Sequence, residues 1–232
     1  MRDYVLERLR GSLGLSHAGR GKVSQTSGAG RLFQGDCSAS TTVGDEFGRS
    51  RLGLGVMHDL EGGIVSVKGT TWCVPIDGQP REVDPSEGIA FGIAAHGGVK
   101  HVVPMTEGSI FEEILAGIDA YLESTHLDHE AVVCAIEIVG TFTDVMLRTV
   151  APPTYLNEPL LEVIEDETRF EFDVWSGTLV GFRFPDTSNG DLIPGLHLHA
   201  IAKDLLSGGH VRLARTDNVK VNVWVDELHP LA

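Results

Sequence analysis

The sequence predicts an α+β fold that is mostly β, built on mixed or antiparallel sheets. Short apolar runs rich in β-branched residues are separated by Gly and Pro, as expected for strands joined by tight turns. The chain has 28 glycines in 232 residues, well above the average usage of about 7%, which also fits a turn-rich β protein. One segment has clear helical spacing. The length suits one compact unit or two closely packed lobes, a sheet-plus-helix lobe over residues 1–130 and a β lobe over 131–232.

The first half is expected to begin with loops over residues 11–50, with one short strand near Arg31–Gln34. Five further strands are predicted, at residues 52–57, 63–67, 71–74, 88–94 and 100–103. A helix follows, because Ser109 and Glu112 have the spacing of a capping box. Apolar residues then recur along one face of this helix, at positions 110, 111, 114, 115, 118 and 122. That stripe indicates core packing rather than a binding surface.

The second half is predicted to consist mainly of paired strands. The expected strands are residues 132–139 and 142–150, then 169–175 and 178–184, and finally 219–225, with a short helix starting near Pro159. By alternation, Arg148 shares a face with Phe142, Asp144, Met146 and Val150. A lone arginine in such a strand is usually paired with a carboxylate or reaches the sheet edge.

The overall charge argues against some partners. The net charge is −15 and the pI is near 5.0, which disfavours nucleic acid and anionic membrane surfaces. The first ten residues do not resemble a signal peptide, and no segment is apolar for long enough to span a bilayer. We therefore expect a cytoplasmic protein. The three cysteines have no metal-binding spacing, and Cys134, in an apolar run, is expected to be a small buried hydrophobe.

Three histidines near the C-terminus, between Pro194 and Val211, form the most informative pattern. His197 and His199 would project from the same face of a strand, with Leu196, Leu198 and Ala200 on the buried face. A Gly-Gly pair at 208–209 permits a sharp return, which brings His210 back towards the other two imidazoles. Three neutral imidazoles without a fourth protein ligand describe a catalytic zinc site with an open position. A His-x-His pair also arises by chance, without any metal.

The sequence around these histidines resembles acetolactate decarboxylase. The resemblance is carried by Gly-Thr-Leu-Val-Gly-Phe-Arg-Phe-Pro at 177–185, then Pro-Gly-Leu-His-Leu-His and Gly-Gly-His-Val, and it is strong from about Ala135 to Val225. It implies a homodimeric zinc lyase that converts acetolactate, a small 2-hydroxy-3-oxo acid, into acetoin. In that family, Zn²⁺ held by the three histidines stabilises the enediolate that remains when carbon dioxide departs. The Arg-Thr-Val segment before a Pro implies that Arg148 faces the metal and holds the substrate carboxylate.

The chain departs from the family at its carboxylates. The family's Leu-Asp-Gly-Glu corresponds to residues 60–63, so Gly63 stands where the family has an active-site Glu. The family's Gly-Thr-Phe corresponds to residues 55–57, where Val56 lacks the hydroxyl. The chain ends at Ala232, before the family's second active-site Glu, with Glu227 as its last carboxylate.

Other groups near Gly63 are candidates for proton transfer. Glu61 lies two residues before Gly63 and would point the same way along a strand, and His58 lies in the same stretch. Two other functions stay open beside acetolactate decarboxylation. One is a zinc enzyme with changed carbonyl chemistry, such as aldol, isomerisation or cyclisation reactions in a specialised pathway. The other is a non-catalytic zinc-binding protein.

Overall fold

The protein is built from two antiparallel sheets stacked face to face. The computed structural model describes residues 23–129, 132–185 and 195–227; the first ten residues and Pro194 lie outside these ranges. Every described strand pair is antiparallel. The predicted mostly β fold is confirmed, with antiparallel rather than mixed sheets. None of the described helices is long and apolar enough to cross a bilayer.

The first sheet contains seven short strands. They are β1 (Val23–Thr26), β2 (Thr41–Thr42), β3 (Leu52–Met57), β4 (Gly63–Val67), β5 (Thr70–Val74), β6 (Arg81–Glu82) and β7 (Gly88–Ala95). Their order is β1-β7-β3-β4-β5-β6, and β2 also pairs with β7. The helices α1 (Ala29–Phe33) and α2 (Val43–Phe47) belong to this half. The strand predicted near Arg31 is wrong, because the segment is α1, which is too short to show a helical period in the sequence.

The second sheet contains five strands, three of which are long. They are β8 (Val99–Val103), β9 (Val132–Thr149), β10 (Thr168–Phe184), β11 (Gly195–Ala202) and β12 (Gly208–Glu227). The order is β11-β10-β9-β12-β8, and β11 also pairs with β12, so four strands close on themselves. The helices are α3 (Phe111–Ser124) and α4 (Leu160–Glu165). The chain passes to the second sheet between Ala95 and Val99, whereas the division into lobes at residue 130 stays a prediction.

The long strands correct the predicted pairing of the second half. Residues 132–139 and 142–150 are not partner strands but one strand, β9, and β10 likewise joins the two segments predicted after it. The strands run without a break through the positions where turns were expected. At this point Gly140 on β9 lies opposite both Gly177 on β10 and Val219 on β12. A side chain at Gly140 would overlap the carbonyl oxygen of Asn218. Glycine therefore marks a close approach between strands here and not a chain reversal.

The capping of α3 is displaced by one residue from the prediction. The Glu113 carboxylate accepts a 2.9 Å bond from the Ile110 backbone N–H, whereas the Ser109 hydroxyl donates to the carbonyl oxygen of Thr106. The capping box at Ser109 and Glu112 is therefore wrong. The apolar stripe is confirmed, since Ile114, Ile118 and Leu122 are buried against the second sheet.

The molecule therefore has four layers: α2, the first sheet, the second sheet and α3. The first sheet contributes Leu54, Val65 and Ile93 to the core between the sheets, and the second contributes Val180 and Phe182. The three cysteines are free and buried, as expected for Cys134. Burial raises the pKa of the Cys134 thiol to about 12, so it is inert at neutral pH.

Candidate metal centre

The three histidines singled out from the sequence converge at the closure of the second sheet. His197 and His199 lie on β11, and His210 lies on β12 directly opposite His199. The His197 Nε2 atom is 3.3 Å from His199 Nε2 and 3.1 Å from His210 Nδ1. Leu198 and Ala200 fill the opposite face, as alternation along the strand predicts.

Most residues of the site lie directly opposite one another in one row across four neighbouring strands. Arg169 on β10 pairs with Arg148 on β9, Arg148 pairs with His210 on β12, and His210 pairs with His199 on β11. Residues directly opposite each other on neighbouring antiparallel strands project from the same face of the sheet. The row therefore places a permanent positive charge beside the imidazoles.

The orientation of Arg148 depends on a backbone irregularity that the sequence pattern did not reveal. Asp144 has a positive φ of 49°, which changes the phase of the alternation along β9. Phe142 packs in the core beside α3, whereas Val150 packs in the core between the sheets. The predicted shared face of Arg148 and Phe142 is therefore wrong. Arg148 lies on the opposite face, towards the first sheet.

Strand β4 of the first sheet completes the surroundings of the histidines. The His199 Nδ1 atom donates a 2.8 Å bond to the carbonyl oxygen of Ile64. This bond fixes the tautomer, so that His199 Nε2 presents its lone pair to the other two rings. A Cβ at Gly63 would lie 3.5 Å from His199 Cε1. Position 63 thus faces the histidines, although Gly63 brings no functional group there.

Burial keeps the three imidazoles neutral. Loss of solvent, followed by the neighbouring His199 and Arg148, lowers the pKa of His197 to about 3. Burial is also the largest cause for His199, whose pKa falls to about 4, and for His210, whose pKa falls well below 6.5. Neutral imidazole is the form that binds a metal ion.

The donor set fits a zinc ion. Tetrahedral zinc with Zn–N bonds of about 2.0–2.1 Å requires nitrogen atoms roughly 3.3 Å apart, close to the 3.3 Å and 3.1 Å that separate His197 Nε2 from the other two rings. The single N–H that His197 Nε2 can carry cannot donate well to both His199 Nε2 and His210 Nδ1. Hydrogen bonds among the three rings therefore leave at least one nitrogen lone pair without a good donor. A cation would satisfy all three. Among the described residues, the cluster contains these three histidines and no fourth ligand.

Comparisons with known proteins identify the family of this chain. The model of the alpha-acetolactate decarboxylase family matches residues 23–229. The chain belongs to this family. It is 30% identical over 204 residues to the alpha-acetolactate decarboxylase of Methylococcus capsulatus, covering 88% of this chain and 76% of that protein. It is 28% identical over 192 residues to that of Brevibacillus brevis, covering 83% of this chain and 66% of that protein.

The comparison with solved structures concerns the fold. The solved structure of alpha-acetolactate decarboxylase from Bacillus subtilis strain 168 superposes with a TM-score of 0.80 and 24% sequence identity, over 90% of this chain and 88% of that one. Two stacked antiparallel sheets are therefore the fold that this chain shares with a solved alpha-acetolactate decarboxylase.

Within this decarboxylase fold, His58 and Glu61 occupy a turn rather than a strand. Residues His58–Leu60 form a 3-10 helix between β3 and β4, and Glu61 follows in helical conformation. The expectation that Glu61 points along a strand with residue 63 is therefore wrong. His58 Nε2 lies 3.6 Å from Glu61 Oε2, and both side chains are partly exposed. Their role in proton transfer stays a prediction.

One contact of the candidate site was missed in the sequence. The Arg148 Nη1 atom donates a 2.8 Å bond to Glu167, whose side chain is 6% exposed. Glu167 lies in an acidic run before β10 that looks like solvated surface. Its proximity to Arg169 in sequence was the available signal, but the partnership with Arg148 depends on the register of β9 and β10.

Proposed function

We propose that this protein is a zinc-dependent carboxy-lyase that converts acetolactate into acetoin and carbon dioxide. Membership of the alpha-acetolactate decarboxylase family supports this activity. The observation that carries the proposal is the convergence of His197, His199 and His210 beside Arg148.

The residues of the chain have distinct tasks in this reaction. When bound by the three histidines, zinc would supply Lewis-acid chemistry that stabilises negative charge on oxygen as carbon dioxide departs. Arg148 would hold the substrate carboxylate by charge-assisted hydrogen bonds. The bond from His199 to Ile64 keeps the ring oriented. The stacked sheets restrict water on the inner face of β11, where His199 is 8% exposed.

His58 and Glu61 are our proposed proton-transfer groups for the carbon that loses carbon dioxide. The motivation is their place on the turn that leads directly into Gly63 and Ile64, the two β4 residues next to His199. Replacing either by Gln should lower kcat for acetoin formation without changing zinc content. Unchanged kcat in both variants would remove them from the mechanism.

The proposed activity is tested by metal analysis and an acetoin assay on protein purified without an affinity tag. We expect one zinc per chain and acetoin release. His199→Ala should abolish both, whereas His126→Ala, at an exposed histidine, should change neither. Protein that takes up no zinc, or zinc-loaded protein that forms no acetoin, would contradict the proposal.

A second candidate function is favoured by the space at Gly63. Because a Cβ at this position would contact only His199, the side chain that the family carries there is replaced by open volume. A zinc enzyme with changed carbonyl chemistry on a larger substrate, by aldol, isomerisation or cyclisation, would use that volume. Gly63→Glu should raise acetolactate turnover if the site is otherwise that of the family. No gain would favour the changed reaction.

The non-catalytic alternative is disfavoured by the ligand set. Structural zinc sites are usually closed by four protein ligands, often including Cys, whereas three histidines form the cluster among the described residues. Arg148→Ala separates the two cases. The substitution also leaves the shielded Glu167 carboxylate without its partner, so the melting temperature falls in either case. An enzyme loses turnover even at temperatures where the variant is fully folded, whereas a purely structural protein shows only the change in stability.

A further inference from the structure

Glu167 bridges two arginines beside the candidate metal centre. Its Oε2 atom accepts the 2.8 Å bond from Arg148 Nη1, and its Oε1 atom accepts a 2.6 Å bond from Arg169 Nε. Arg148 and Arg169 are direct cross-strand partners, so their like charges would repel without a carboxylate between them. The two oxygens of Glu167 hold both guanidinium groups at fixed positions.

Arg148 is shielded from solvent and lies near other charges. Burial lowers the pKa of Arg148, Glu167 raises it, and the neighbouring Arg212 and Arg169 lower it to a smaller extent. The Glu167 side chain is 6% exposed and that of Arg148 is 14% exposed. In an ion pair this well shielded from solvent, loss of one partner leaves the other charge buried and uncompensated.

The pairing uses one end of the Arg148 guanidinium and leaves the other end available. Among the residues that the structure describes, the Nη2 and Nε atoms of Arg148 make no hydrogen bond to the protein. Arg148 also has His210 as its cross-strand neighbour. Two free donors on a planar group match the two oxygens of a carboxylate.

We propose that Glu167 is the positioning residue for Arg148, holding one end of the guanidinium so that its remaining donors receive the substrate carboxylate beside the histidines. This inference rests on the proposed function, because it concerns the same reaction. Glu167 does not touch the substrate. Its effect on the reaction passes entirely through Arg148.

A double-mutant cycle tests this dependence. Glu167→Ala should lower kcat/KM for acetolactate about tenfold or more, mainly through KM, as expected when a hydrogen bond to a charged group is lost. Glu167→Gln keeps one carbonyl acceptor for Arg148 and should lose less. In an Arg148→Ala background, Glu167→Ala should change kcat/KM by less than about twofold. An equal loss in both backgrounds, or no loss in the parent protein, would overturn the proposal.

A matched control separates positioning from general stability. Glu171→Gln replaces an exposed glutamate on the same strand and should leave kcat, KM and the zinc content unchanged. The Glu167 variants should retain full zinc. A Glu167→Gln variant that loses zinc in proportion to activity would indicate a structural role and contradict the inference.

Binding of lactate distinguishes failure of this inference from failure of the proposed function. Lactate carries a hydroxyl beside a carboxylate, and its titration into the zinc-loaded protein requires no turnover. Suppose that the protein forms no acetoin but binds lactate, and that Glu167→Ala weakens this binding in the parent protein but not in the Arg148→Ala variant. The positioning role of Glu167 then stands, and the proposed reaction is wrong. Lactate binding that is indifferent to Glu167 removes the role. A protein that neither forms acetoin nor binds lactate contradicts both.

Discussion

At the scale of single residues, Gly209 allows two strands of the site to approach each other. Its φ is +141°, and a Cβ would lie 2.6 Å from the Arg148 carbonyl oxygen. Gly209→Ala must therefore displace β12 from β9 beside His210. We expect it to lower the free energy of unfolding by more than about 2 kcal/mol and to weaken zinc binding, as measured by urea unfolding and chelator competition.

Gly69 is the matched control for this substitution. It also has a positive φ, +85°, but a Cβ there would meet nothing within 4 Å. Gly69→Ala should cost about 1–2 kcal/mol from backbone strain alone and leave zinc affinity unchanged. Equal costs at the two positions would show that steric overlap with Arg148 is unimportant.

The buried histidines make the stability of the metal-free protein depend on pH. Their folded-state pKa values, about 3 for His197 and about 4 for His199, lie below the ordinary value of 6.5. Between those values the unfolded chain binds protons that the folded protein does not, so stability rises with pH. The free energy of unfolding should therefore fall as the pH decreases from 6.5 towards about 4. The upper limit is about 1.4 kcal/mol per pH unit for each histidine.

This dependence is measured by urea unfolding of chelator-treated protein at several pH values. A variant with His197, His199 and His210 all replaced by Ala should show a flatter curve over the same range. Parallel curves for the two proteins would mean that other groups dominate the acid sensitivity.

At the scale of elements, α3 supports the second sheet from the side that does not carry the histidines. Ile118 is fully buried in the core formed with β9 and β12. Ile118→Ala should lower the free energy of unfolding by about 2–4 kcal/mol. Zinc content and KM should be unchanged below the melting temperature, because the cavity forms across the sheet from the site. A selective loss of zinc would show that the two faces are coupled.

The elements also show where reading a sequence by local pattern succeeds. The strands from β3 to β5 and the apolar stripe of α3 follow from alternation and helical period, which are local properties. Local pattern does not predict that two of the expected strands join into β9, because Gly140 considered alone is typical of a turn. Only the close approach of Asn218, distant in sequence, explains why a glycine is needed within a continuous strand.

At the scale of the whole molecule, we predict a homodimer. The first sheet ends in the short strands β1 and β6, and exposed strand edges in soluble proteins are usually covered. Light scattering at micromolar concentration should give about twice the chain mass of 25.0 kDa. A single 25 kDa species across the concentration range would contradict the prediction.

The sequence by itself determined the antiparallel hairpin of three histidines, their shared face and the family resemblance. These depend on residue types a few positions apart, and strand alternation acts over that distance. Tertiary structure decided the rest of the site. The irregularity at Asp144 set the face of Arg148, the register of β9 and β10 brought Glu167 to it, and the stacking of the sheets placed Gly63 against His199. Such contacts join segments far apart in the chain, so their geometry depends on strand register and layer packing, which no local pattern records.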